Sequence, residues 1–320
     1  MWLGTTIESP NAEMDVQGAW RDIERALQLQ PELPEALAAR ASYLTYVERE
    51  PMRALRDLDR ALELAPNDAD THDIAGLTKR RLGRFDEAIA HFREAARLMP
   101  AQPQHSLRVF ETLEGLGRLA EAEQERKAFA QRFPDWRAPA ELSGFHVRFL
   151  ATGATDGWQE AYERLAPGLS PAIRSYFFGR LCLATGDFAG YAAFLEAADR
   201  SEFESASNRV VELGRATAAL GDRARARPYL QSVVDETRAP DGVRLTDGAV
   251  ALALLGRPDE AVRAADEAIR LVPESRDAVN GPTVAVQRAA NGPTKAMQSC
   301  SACWERFGCN RVPSRHTRSA

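Results

Sequence analysis

Residues Ala69–Gln102 read ADTHDIAGLTKRRLGRFDEAIAHFREAARLMPAQ, and this stretch decides the fold because its small, turn and proline positions recur along the chain. Ala54, Ala88 and Ala122 stand 34 residues apart, as do Pro66, Pro100 and Pro134, and Gly83 returns as Gly117. Three residue types held in one register imply one structural unit repeated. The unit reads as a helical hairpin. An alanine such as Ala88 suits a place where two helices cross too closely for a larger side chain, and a bulky replacement there would overpack the contact at roughly 1–3 kcal/mol. Gly83 can take the left-handed conformation that ends a first helix, and the acidic pair Asp86 and Glu87 favours the positive start of a second. Pro100 disfavours helical geometry at Met99, so the chain turns there and the next hairpin begins.

Working outward, Glu35–Asp68 is a hairpin in the same register, with Ala54, Leu58, Ala61 and Pro66 at matching places. Before it, Gln17–Gln30 places Ala19, Ile23, Ala26, Leu27 and Leu29 on one helical face, the pattern of a second helix. Residues 1–16 are read as a remnant, because Pro10 interrupts the first helix that should stand there. Pro103–Pro134 keeps the turn glycine, alanine and proline but has Arg126 in place of Phe92 and Phe129 in place of Ala95. The register blurs over 137–171, which reads as a degenerate repeat with Trp158 and Ala161 near the start of its second helix. It then returns at a 35-residue step in Gly186, Gly221 and Gly256, with Tyr191, Ala226 and Ala261 at the close-contact position and Pro273 closing the last repeat. About seven repeats are expected between residues 17 and 275, more than the three or so such arrays need for stability.

The stretch 69–102 resembles the tetratricopeptide repeat, whose pattern runs W-x-x-L-G-x-x-Y, then A-x-x-x-F, then A and P. Ala75 and Gly76 stand at the L-G pair, Ala88 and Phe92 at A-x-x-x-F, then Ala95 and Pro100, while His72 and Lys79 replace the Trp and Tyr. Phe178–Gly179 and Leu213–Gly214 match the same L-G pair. The resemblance implies an all-α fold, a right-handed α-solenoid of stacked hairpins. It further implies a non-catalytic scaffold or adaptor whose first helices line a concave groove for a protein or peptide partner. By register, Arg40, Tyr43, Tyr46, Asp73, Leu77, Arg80, Arg81, Arg108 and Glu111 are expected on that side, where Arg and Tyr suit interface hot spots; the bland alternative is a solvated charged face. Relatives that clamp a carboxyl terminus use lysines and asparagines on these helices, whereas the matching positions here carry Ala39, Tyr43 and Ile74, which argues against that role. The runs YLTYVEREPMRALRDLDRALELAPNDAD and LGRPDEAVRAADEAIRLVPESRDAVNGP further resemble repeat regions attached to bacterial class III nucleotidyl cyclases and Ser/Thr kinases. A regulatory repeat region of such a signalling protein is therefore the alternative role.

Composition narrows the classes further. A charged fraction of 27% and a net charge of −5 suit a soluble protein and supply no general drive toward nucleic acid or an anionic membrane. The opening MWLGTTIESP lacks a signal-peptide pattern and no run is long enough to span a bilayer, so a cytoplasmic location is expected. No glycine-rich phosphate loop, G-x-S-x-G or H-E-x-x-H occurs, and the five histidines are scattered. An enzyme built on a helical solenoid is the rival class, and neither catalysis nor a cofactor is expected. Cys182, between Leu181 and Leu183, reads as a buried structural thiol. Residues 276–320 read as a partial repeat followed by a disordered Cys-, Arg- and Ser-rich tail in which NGPTVAVQ is echoed by NGPTKAMQ; a truncated or frame-altered end is one reading and a divergent extension the alternative. Cys300, Cys303, Cys309 and His316 have the donor chemistry of a tetrahedral zinc site, but their spacing matches no zinc module, and incidental cysteines in a solvated tail are the alternative.

Overall fold

The computed structural model describes residues 16–197, 206–236 and 242–271; every α-element among them is part of a helical repeat, and no strand occurs among the described residues. The chain divides into two compact units, Met1–Leu113 with Glu267–Ala285, and Glu114–Asp266 with Val286–Ala320. The expectations for residues 1–15, for Pro273 and for the cysteine-bearing tail lie outside the described residues.

The first unit begins with α1 (Val16–Leu29), a lone second helix. The hairpin α2 (Pro34–Tyr46) and α3 (Pro51–Leu64) follows, then α4 (Ala69–Arg81) and α5 (Phe85–Leu98), and α6 (Pro103–Gly115) contributes through Leu113. Local chemistry sets these limits. The Asp68 carboxylate accepts the backbone N–H of Thr71 at 2.9 Å and caps α4, an interaction worth about 1 kcal/mol. Gly83 then turns the chain at φ 73°, and Asp86 and Glu87 occupy the first turn of α5. In the preceding hairpin the same turn position is Arg49, held at φ 56°, a conformation that costs a side-chain-bearing residue about 1–2 kcal/mol.

The register alanines do what their recurrence implies: Ala54, Ala88 and Ala122 have no exposed surface. A second device joins them. Gly76 on α4 leaves room for the fully buried Phe92 ring of α5, since a Cβ at Gly76 would lie 2.5 Å from Phe92 Cε1. Thus the L-G and A-x-x-x-F positions form one contact, a large side chain of the second helix seated in a gap on the first.

The second unit continues with α7 (Leu119–Arg132), α8 (Arg137–Thr152), α9 (Trp158–Leu165), α10 (Pro171–Thr185) and α11 (Phe188–Ala197). It ends with α12 (Ala206–Ala219), α13 (Arg223–Glu236), α14 (Gly242–Leu254) and the part of α15 (Pro258–Leu271) through Asp266. Within the units, α2 packs with α3, α4 with α5, α8 with α9, α10 with α11 and α12 with α13 as hairpins. The same seat recurs at Gly214, where an added Cβ would lie 2.8 Å from Leu230 Cδ2, whereas Gly179 faces Tyr191, which stands at the alanine position, with an added Cβ 3.1 Å from its hydroxyl.

Where the pattern wears, other groups substitute. Arg126, at the Phe92 position, lies against Gly144 of α8, donates from Nη1 to the Ala140 carbonyl at 2.9 Å and pairs with Glu123. In the degenerate repeat α9 has only 8 residues, and a cluster of Leu142, Phe149, Trp158, Tyr162, Phe177 and Leu181 supplies the core. Cys182 is 2% exposed, and burial, with Asp187 adding to it, pushes its thiol up to about 12, so it packs rather than reacts.

Candidate binding face on the first helices

In the first unit the first helices α2, α4 and α6 carry the residues expected to meet a partner, and these divide into two groups. Arg40 turns to its own hairpin, where Nε and Nη2 donate to the Asp57 carboxylate of α3 at 2.7 and 2.6 Å; this pairing raises the Arg40 pKa. Tyr43 packs against Trp20 of α1, with ring centroids 4.6 Å apart. Both are thereby committed to neighbouring second helices.

The other group converges. Arg81 of α4 lies over the Tyr46 ring of α2, its Cζ 4.9 Å from the centroid. Tyr46 is 38% exposed, yet its hydroxyl is enclosed and its pKa is raised by burial, opposed by Arg81, Arg108 and Arg80. Behind this pair, Asp73, Leu77, Arg80 and Arg108 are buried, and Glu111 is half-buried. Asp73 of α4 binds two α6 groups through one oxygen: Arg108 Nε lies 2.8 Å and His105 Nδ1 3.0 Å from Oδ1. The Arg108 contact is an ion pair without an aligned N–H, while the carboxylate accepts from His105 Nδ1. Arg80 donates from Nη1 to Thr112 at 3.4 Å and lies over Phe92 at 5.3 Å. Burial, reinforced by Arg108, pulls its guanidinium down to about 9.

Sequence reasoning missed His105, Thr112 and the Thr45–Thr78 hydroxyl pair at 3.0 Å, which link successive first helices. The available signal was the spacing of His105 and Arg108, three apart on α6 and so on one face. A related link occurs in the second unit, where Glu114, His146 and Arg180 meet. Glu114 Oε1 is 3.0 Å from His146 Nδ1 and 3.2 Å from Arg180 Nη1. Desolvation, the largest single effect, raises the Glu114 pKa, but the hydrogen bonds and charges of His146 and Arg180 together outweigh it and hold the carboxyl below its ordinary value.

Outside this face, His72 and His91 share a 3.0 Å contact between their Nδ1 atoms, and His72 Nε2 lies 3.1 Å from the Pro66 carbonyl. A carbonyl only accepts, so His72 donates from Nε2 and His91 Nδ1–H donates to His72. Burial, then Lys79 and His72, push His91 down to about 4. The unfolded chain therefore takes up this proton first, and stability present above pH 6.5 is lost as the pH falls toward 4. Urea unfolding at pH 7 and pH 4.5 should show a His91-dependent loss of about 1 kcal/mol after solvent screening, absent in His91→Gln. Equal losses in the two proteins would contradict this.

Among the described residues no group of three or more His, Cys, Asp or Glu side chains is placed to hold a metal ion, and no helix is long and apolar enough to cross a membrane. The zinc candidates Cys300, Cys303, Cys309 and His316 fall outside them.

Residues 69–102 match the model of the tetratricopeptide repeat. Among solved structures, a tetratricopeptide repeat protein from Parabacteroides merdae is similar over 81% of this chain and 98% of its own, with 14% identity and a TM-score of 0.52. Yeast Tom70 is similar over 91% of this chain, with 13% identity and a TM-score of 0.60; the match spans 62% of the Tom70 chain. A comparison with curated protein sequences finds no significant match. At these identities the likeness is one of fold, an all-α helical repeat of tetratricopeptide type, an architecture that in general supports protein interaction.

Proposed function

We propose that the protein is a non-catalytic scaffold that binds a segment of a protein partner on the first-helix face formed by α2, α4 and α6. The Tyr46–Arg81 pair supports this most: an aromatic ring 38% exposed, with a guanidinium over it, is the chemistry enriched at interface hot spots. It lies where the fold leaves first-helix side chains uncommitted to the alanine and glycine seats. Arg40 and Tyr43 support the face from behind by anchoring α2 to α3 and α1.

Affinity capture from lysate followed by mass spectrometry tests the reading, using wild type and a Tyr46→Ala, Arg81→Glu double variant. Both positions are solvent-accessible, so the variant should keep its helical signal. Partners enriched by wild type should bind the variant roughly tenfold or more weakly. Equal capture by the two proteins would place the binding surface elsewhere, and no capture by either would weigh against a scaffold.

A further inference from the structure

Resting on that binding face, we infer that the chain supplies an occupant for it: residues 1–15, whose Trp2, Leu3 and Ile7 cover the exposed apolar end of α2 and compete with a partner for Tyr46. The surface comes first. Tyr46 is 38% and Val47 41% exposed at the end of α2, and Met52, at the start of α3, is 65% exposed. Three large apolar side chains thus flank one turn. Covering them removes apolar surface from water, at about 25 cal/mol for each Å².

The path of the chain leads to this surface. Only residues 30–33 separate α1 from α2, so the two helices run antiparallel, and Trp20 near the start of α1 packs on Tyr43 near the end of α2. The start of α1 therefore stands at the end of α2 that carries Tyr46 and Val47. From Val16 to Trp20 and from Tyr43 to Tyr46 is about 10 Å of helix rise. Residues 8–15 can span up to about 26 Å, so residues 1–7 reach the patch with length to spare.

The composition of the segment matches what the surface offers. MWLGTTI carries Met1, Trp2, Leu3 and Ile7, and the following ESPNAEMD carries Glu8, Glu13 and Asp15 with no Lys, Arg or His. The apolar part answers Tyr46, Val47 and Met52, and tryptophan is a residue type enriched at hot spots. The acidic part suits the side of the face where Arg81 lies over Tyr46, since opposite charge favours docking and fixes register. A tethered segment acts at an effective concentration on the order of millimolar, so even a weak contact obliges a partner to displace it.

The test is fluorescence anisotropy of a labelled synthetic peptide, MWLGTTIESPNAEMD with an amidated carboxyl terminus, titrated with two full-length proteins. One is wild type and the other a Trp2→Ser, Leu3→Ser, Ile7→Ser variant, whose substitutions lie outside the described helices. The variant should bind the peptide roughly tenfold or more tightly than wild type, whose own segment holds the face. Adding Tyr46→Ala to the variant should weaken the peptide roughly tenfold, and adding Val47→Ser serves if Tyr46→Ala fails to fold. No binding by the variant, equal binding by variant and wild type, or binding unchanged by both Tyr46→Ala and Val47→Ser would each overturn the inference. Wild-type dimers in sedimentation that the variant lacks would assign the segment to a second copy and overturn it as well. In each of these cases the face reading stands if partners captured from lysate still depend on Tyr46 and Arg81, and falls if they do not.

Discussion

Trp158→Ala should destabilise the second unit by about 3–5 kcal/mol, the cost of emptying a large, fully enclosed aromatic site. Trp158 has no exposed surface, stacks near Phe145 at 6.4 Å, and lies 6.2 Å from Phe149 and 6.1 Å from His146 between ring centroids. The size of the effect follows from its setting. Helix α9 is the shortest α-helix described in the second unit, so the aromatic cluster replaces the interdigitation that longer hairpins have. Its indole Nε1 has no hydrogen-bond partner among the described residues, so Trp158→Phe removes an unfilled donor as well as ring volume and should cost less. Denaturant unfolding followed by near-ultraviolet circular dichroism reads both variants. A Trp158→Ala loss below about 1 kcal/mol would mean that the cluster is not the core of this repeat.

Phe92→Ala should cost about 3–5 kcal/mol in the first unit, and its coupling to Gly76 makes the prediction specific. On an exposed helix Gly→Ala would gain roughly 1 kcal/mol of helix propensity. At Gly76 the new Cβ would stand 2.5 Å from Phe92 Cε1 and 2.6 Å from Cδ1, with Phe92 wholly enclosed and unable to withdraw cheaply. Overpacking of roughly 1–3 kcal/mol therefore outweighs the propensity gain, and Gly76→Ala in the wild type should destabilise. In the Phe92→Ala background the clash is gone and the same change should stabilise. A double-mutant cycle measures this change of sign, and additive effects would show that the two residues do not meet.

These contacts explain what was legible in the sequence. Ala88, Gly83 and Pro100 each answer a local demand, a close crossing, a left-handed turn or a helix stop, and so their recurrence disclosed the hairpins directly. The Gly76–Phe92 seat was half legible: both positions belonged to the pattern, but their contact joins two helices and needed coordinates. Arg49 escaped because a turn that takes glycine elsewhere tolerates a strained arginine here. Arg126 read as degeneration because a guanidinium in a phenylalanine position shows its purpose only beside Gly144 and the Ala140 carbonyl.

The binding face divided along similar lines. Register placed Arg40, Tyr43, Tyr46, Asp73, Leu77, Arg80, Arg81, Arg108 and Glu111 on first helices, which the helix limits agree with. It did not show that Trp20 takes the Tyr43 ring or that Asp57 takes Arg40, since both partners lie on second helices. Nor did it show depth. An arginine on a first helix reads as solvated, whereas Arg80 and Arg108 are 5% and 3% exposed and answer to Asp73, Thr112 and each other.

Hydrogen–deuterium exchange of the protein with and without a captured partner tests the functional account most directly. It predicts protection concentrated at the C-terminal halves of α2 and α4 and along α6, around Tyr46, Arg81 and Arg108. Protection confined to the second helices α3 and α5, or to the second unit, would contradict it.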